Sequence, residues 1–106
     1  MKKTLLAAGL VSLMSTTAMA EGIGVSMALF DDNFLTVLRN GIQAQADAGG
    51  LSVQIEDAQN DVAKQLDQIN NFIASGVTSI IVNPVDTSAT QAMSDAAAAA
   101  NIPLVY

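Results

Sequence analysis

The feature that most constrains this chain is an alternation between two hydrophobic periods, which starts after about twenty residues and runs to the end. Ile23 to Leu29 is a short, mostly apolar run that reads as a strand. Phe34, Val37, Leu38, Gly41, Ile42 and Gln45 then recur at helical spacing, and Gly49-Gly50 offers a left-handed stop. Leu51 to Ile55 alternates apolar and polar, as a strand near a sheet edge does. Asn60 or Asp61 caps a second helix, whose apolar stripe is Val62, Leu66, Ile69 and Ile73, and Gly76 ends it. Ser79 to Val82 is a strand apolar enough to be covered on both faces. A turn over Asn83 to Ser88 opens an Ala-rich helix that reaches Ala100, with Asn101 as its C-cap, and Ile102 to Tyr106 begins a fourth strand.

The order is therefore strand, helix, strand, helix, strand, helix, strand, with helices of about 14 to 16 residues, within the range usual for globular proteins. A chain of this kind packs as an α/β domain: an open parallel sheet, right-handed crossovers and helices on both faces, a Rossmann-like lobe. The last strand stops at Tyr106 with no helix after it to cover its face. The expectation is an incomplete first lobe, residues 21–106 being the N-terminal part of a longer domain.

The first twenty residues follow another logic. Lys2 and Lys3 precede an apolar run from Leu5 to Met14, and Ala18-Met19-Ala20 is a small-x-small cleavage site. The run is too short to span a bilayer, which takes ~20 apolar residues. Residues 1–20 thus read as a signal peptide, with the mature chain starting at Glu21, soluble in the periplasm and not inserted in the membrane.

Composition narrows the function. Lys2 and Lys3 are two of only four basic residues; without them ten acidic residues face Arg39 and Lys64, a net charge of −8. Such a surface repels nucleic-acid phosphate, so no nucleic-acid partner is expected. The chain has neither Cys nor His, which removes thiol nucleophiles, the common zinc ligands and the usual general base. No phosphate-binding glycine loop is present: Gly22 and Gly24 stand at the start of the first strand instead of following it. Asp31 and Asp32 are adjacent, and no second pair supports glycosidase chemistry. The expectation is a protein that is not an enzyme and holds no cofactor or metal.

In an open parallel sheet, ligands bind beyond the C-terminal ends of the strands. The first such loop is the richest: Phe30, Asp31, Asp32, Asn33 and Phe34 set two carboxylates and an amide between two rings. A sugar or polyol has hydroxyls that donate and accept, and apolar C–H faces. Carboxylates accept from hydroxyls, Asn does both, and Phe covers the C–H face. The second loop offers Asn60 and the third Asp86. Helix capping by Asp31 or Asp32, by Asn60 or Asp61, and by Asp86 competes with ligand contact at each place, and the two roles are compatible.

Several segments resemble ribose-type (type I) periplasmic sugar-binding proteins. They are Ile23-Gly24-Val25-Ser26-Met27, Phe30-Asp31-Asp32-Asn33-Phe34, Arg39-Asn40-Gly41 and Asp57-Ala58-Gln59-Asn60-Asp61. Ile80 to Asp86, with its Asn-Pro-x-Asp turn, and Ala100 to Tyr106, with its Asn-Ile-Pro strand, complete the likeness. Met27-x-x-Phe30-Asp31-Asp32-Asn33-Phe34 is most similar to the rhizopine- and inositol-binding branch. The resemblance implies two lobes closing on a monosaccharide or cyclic polyol, and a closed form presented as a monomer to an ABC permease. It implies that Asp32 contacts ligand hydroxyls and that Phe34 stacks on the ring. Leu35 stands where ribose binders have a second aromatic residue, which disfavours ribose. A periplasmic sensor serving a chemoreceptor or histidine kinase shares every one of these features.

Overall fold

A computed structural model of the chain describes residues 22–106; the signal peptide read at 1–20 lies outside them. Strands β1 (Gly22–Met27), β2 (Ser52–Asp57), β3 (Ser79–Val82) and β4 (Leu104–Val105) alternate with helices α1 (Asn33–Ala48), α2 (Val62–Ser75) and α3 (Thr90–Ala99). A short 3₁₀ turn, Thr87–Ala89, precedes α3. The strands form one sheet in the order β2-β1-β3-β4, and every pairing is parallel. Val25 lies opposite Ile55 on one side and Ile81 on the other, so the apolar positions of three strands line up across the sheet. β2 is an edge strand, as its alternation indicates.

From β1 the chain crosses one way to β2, then back over β1 to β3, then onward to β4. With right-handed crossovers, that reversal puts α1 on one face and α2 and α3 on the other. Period-two alternation sorts the side chains accordingly. Ile80 and Val82 meet Ile69 and Phe72 of α2 and Met93 of α3 in a buried cluster. Ile23, Val53 and Ile81 line the α1 side.

Gly24 of β1 is there because α2 comes so close. A Cβ at residue 24 would lie 2.5 Å from Cγ of Phe72, inside contact distance. The ring therefore rests on bare backbone. At the end of the same helix Gly76 takes φ 79°, a left-handed value that other residues rarely adopt. That geometry lets its N–H reach back to the carbonyls of Ile73 and Phe72.

The structure departs from the sequence reading in local detail. The buried stripe of α2 is Gln65, Gln68, Ile69 and Phe72, whereas the apolar spacing centres it on Val62, Leu66, Ile69 and Ile73. Val62 is exposed. The helix is rotated because two of its glutamines have buried partners, described below. α3 is shorter than expected because Asp86 first caps the 3₁₀ turn, accepting from the Ser88 N–H. Ala100 is the C-cap of α3, and Asn101 follows it in the left-handed conformation with φ 57°. Gly50, with φ 67°, is the left-handed glycine after α1, since Gly49 stays right-handed. β4 is reduced to two residues next to Pro103, which has no N–H to give to a ladder.

Candidate functional site

Because all four strands are parallel, the C-terminal ends of β1, β2 and β3 share one edge of the sheet. Hydrogen bonds then tie their loops together. The Asn60 N–H donates to the Ala28 carbonyl at 2.8 Å, joining the second loop to the first. The Ala28 N–H donates to Oδ1 of Asn83 at 3.1 Å, joining the first to the third. These bonds bring together Ala28, Asn60 and Asn83, and include neither residues 31–34 nor Asp86. Gln59 and Asn60 both take positive φ, 54° and 55°. Asn tolerates that region, and Oδ1 of Asp57 steadies the turn by accepting from the Gln59 N–H at 2.8 Å.

The first loop is braced against its own helix. Asp32 is the N-cap of α1, its Oδ1 accepting from the Leu35 N–H at 3.0 Å. The Thr36 hydroxyl lies 3.0 Å from the Phe30 carbonyl and 2.9 Å from the Asp32 carbonyl, and its one proton serves both. The Arg39 guanidinium sits 4.0 Å from the centre of the Phe30 ring, within cation–π range. Phe30 is half-buried, and Asp31, Asp32 and Asn33 are exposed. Phe34, in the first turn of α1, is 71% exposed.

Asp32 caps α1. Asp61 caps α2, its Oδ1 accepting from the Lys64 N–H at 2.9 Å, so Asn60 is not a cap. Asp86 caps the 3₁₀ turn and accepts from both the N–H and the hydroxyl of Ser88, at 2.8 and 2.7 Å. Those bonds hold the Asp86 carboxyl below its usual range. Asp31 caps nothing, and no group of three or more metal-ligating side chains occurs among the described residues.

Phe34 also borders an apolar groove. An open groove of about 590 Å³ runs between α1 and the sheet, lined by Phe34, Val37, Leu38, Gly41, Ile42 and Gln45 among others. These six are the face that helical spacing assigns to α1. A nearly all-apolar trough offers hydroxyls few partners. A smaller one of about 230 Å³ opens at the C-terminal edge of the sheet, beside Met27, Asn83, Pro84 and Tyr106.

Periodicity missed the polar support beneath this edge. Ser26, Gln65 and Gln68 are buried. The signal lay in Gln65 and Gln68 themselves, three apart on a helix and so on one face with Ile69 and Phe72.

Residues 23–106 match the family model of a periplasmic binding protein domain. The chain belongs to that family. A Rhizobium meliloti protein named for rhizopine binding is 59% identical over 107 residues, covering 100% of this chain and 35% of the relative. The ribose import binding protein of Bacillus subtilis is 36% identical over 83 residues, covering 78% of this chain and 27% of its own length. Among solved structures, an ABC transporter solute binding protein from Bacillus halodurans with bound myo-inositol superposes with a TM-score of 0.74 at 36% identity. It covers 80% of this chain and 30% of that one. A Caulobacter myo-inositol binding protein bound to myo-inositol gives a TM-score of 0.76 at 25% identity, with coverage of 80% and 29%. The chain therefore spans about a third of the length of the curated relatives it matches.

The periplasmic binding protein fold expected from the sequence is the fold observed, an α/β lobe of the type I kind. Two of these relatives are named for rhizopine and for ribose, and the two solved structures hold myo-inositol. No helix among the described residues is long and apolar enough to cross a membrane.

Proposed function

We propose that this chain forms one wall of the ligand cleft in a periplasmic solute-binding protein of an ABC importer, and that the ligand is a cyclic polyol of the inositol or rhizopine kind. The observation that carries this reading is the tied cluster of loops at one sheet edge, joined through Ala28 to Asn60 and Asn83. That edge is rich in acceptors: Asp31, Asp32, Asn33, Asn60 and Asp86 are all exposed. A ring bearing hydroxyls on every carbon needs such acceptors around its rim and an aromatic face over its C–H bonds, which Phe30 and Phe34 would provide. Phe30, pinned by Arg39 and Thr36, loses little freedom on binding. A second lobe would supply the opposite wall and close over the ligand, and the closed protein would dock as a monomer on an inner-membrane permease. Export would be directed by residues 1–20, with cleavage after Ala20.

The experiment is calorimetric titration of the product of the complete reading frame with myo-inositol, D-ribose and D-glucose. Myo-inositol is expected to bind more tightly than either sugar. Asp32→Asn then separates capping from recognition, because Asn caps a helix about as well as Asp. The variant should melt with the wild type and bind about tenfold more weakly or worse, as loss of a charged acceptor implies. If no polyol or sugar produces heat or a thermal shift, the proposed function fails. An unchanged affinity in Asp32→Asn removes that residue from the site.

A further inference from the structure

We infer that Gln65 is the positioning residue for the ligand edge: its buried carboxamide fixes the third loop against β1 and, through Ser26 and Gln68, against the second. This rests on the proposed function, since it assigns a role within the same site.

Gln65 is 2% exposed and Ser26 is fully buried. Nε2 of Gln65 has two protons, and both are used: one on Ser26 Oγ at 3.1 Å and one on the Asn83 carbonyl at 3.0 Å. Its Oε1 accepts from the Val85 N–H at 2.9 Å. One side chain of α2 therefore holds the backbone on both sides of Pro84, which has no N–H of its own. The Ser26 hydroxyl gives its single proton to Oε1 of Gln68 at 2.7 Å. Gln68 in turn donates to the Asp57 carbonyl, at the end of β2, at 2.8 Å. Donation runs one way, from Gln65 to Ser26 to Gln68 to Asp57. Each member fixes the orientation of the next.

No buried side-chain nitrogen or oxygen among the described residues lacks a partner. A network that is fully satisfied is rigid, and one made half-satisfied is costly. The purpose of the rigidity lies in its endpoints. Asp57, Asn83 and Val85 begin the second and third loops, and Asn83 also takes the Ala28 N–H of the first. An apolar residue at 65 would fill the same space and leave the Asn83 carbonyl and the Val85 N–H without their partner. The three loops would then stay near the edge without a fixed relative position, and a ligand would have to order them at the expense of affinity.

The test compares two variants of the complete gene product. Gln65→Met keeps the volume and removes the carboxamide. Leu66→Ala, next on the same helix and packed against the core, destabilises without touching the loops. Affinity for myo-inositol is measured well below the melting temperature of each, and amide hydrogen exchange is followed at Val85 and Ala28. Gln65→Met is expected to weaken binding about tenfold or more, in line with the loss of buried hydrogen bonds. It should also lose protection at Val85 while the α2 amides keep theirs. Leu66→Ala should stay within about twofold of wild-type affinity, since binding well below the melting point is insensitive to a modest loss of stability. Equal affinity losses in the two variants, or wild-type affinity in Gln65→Met, would overturn the assignment. Should Gln65→Met fail to fold, Gln65→Glu keeps the acceptor for Val85, removes the donor to Asn83, and is read by the same two outcomes. If wild-type protein binds no polyol, the proposed function has failed. Exchange at Val85 then decides this assignment alone: protection unchanged by Gln65→Met overturns it, and selective loss upholds it.

Discussion

The two faces of this sheet share the same strands and differ in how they are covered. On the α2 and α3 side, Ile69, Phe72, Ile80, Val82 and Met93 are each 2% exposed or less. On the α1 side, Phe34 and Val37 are 71% exposed, and Ala46 is the buried residue of the helix. β3 shows the contrast within three residues, with Ile80 and Val82 buried and Ile81 only half-buried. The strand order explains it. Four strands about 4.8 Å apart make a sheet roughly 14 Å across, and one helix covers only about 10 Å of that width. Two crossovers fall on one face and one on the other, so one face closes and the other remains a groove. Burial on a face depends as much on how many helices the topology delivers there as on how apolar the strands are.

The contrast is most sharply tested by a pair of truncations. Phe72→Ala, on the closed face, should cost about 3–5 kcal/mol, the range for removing a large buried ring from a core. Val37→Ala, on the open face, should stay within about 0.5 kcal/mol, as exposed substitutions do. Chemical denaturation of both variants gives the comparison. Similar losses in the two would mean that the α1 groove is covered in solution and that the two faces do not differ.

A second substitution probes why the closed face closes. Gly24→Ala adds one methyl group where Phe72 already sits, with ring carbons at 2.5, 2.6 and 2.8 Å from the new Cβ. These include the inner end of the ring, so the side chain cannot swing away without moving the helix. The expected cost is about 1–3 kcal/mol, the usual penalty of overpacking, and the near-ultraviolet spectrum of the core should change with it. A neutral Gly24→Ala would show that α2 is free to lift from the sheet. By contrast, Gly41 on α1 has nothing within 4 Å of a built Cβ, in keeping with the looser face.

The sequence exposes the alternation, and so the fold class, because strand and helix periods are written in the apolar residues themselves. β3 is legible to the residue, since Ser79 to Val82 is bounded by Gly76 and Pro84 and has no other place in the pattern. The apolar face of α1 is equally legible, because its polar member, Gln45, falls on the same helical spacing as the apolar ones. The face of α2 is not. Apolar spacing centres it on Val62 and Ile73, while the backbone of two loops draws Gln65 and Gln68 inside. A buried glutamine looks like a surface residue until its partners are known, and these partners lie up to 42 positions away. The same limit applies to the site. Loop residues 30–34 are visible as a polar cluster between aromatics, but the bonds from Asn60 and Asn83 to Ala28 depend on the register of three strands.

The smallest expected effect concerns the entry to the closed face. Asp86 caps the turn that leads into α3, and the two bonds from Ser88 lower its pKa below that of an ordinary aspartate. A carboxyl whose folded pKa is depressed binds protons more readily in the unfolded chain, so acid favours unfolding. Its contribution is complete above the unfolded carboxyl's ordinary range and fades as the pH falls through the lowered folded value. Asp86→Ala should therefore lower the denaturation midpoint slightly at neutral pH and less at pH 3, where the wild type has begun to lose the same interaction. The carboxylate is fully exposed, so solvent screening keeps the effect small. The pH dependence is thus a better readout than the midpoint at any single pH. An equal difference between variant and wild type at both pH values would mean that the cap acts through shape alone. The entry to α3 would then be held by backbone geometry, and charge would have no part in how the closed face is kept shut.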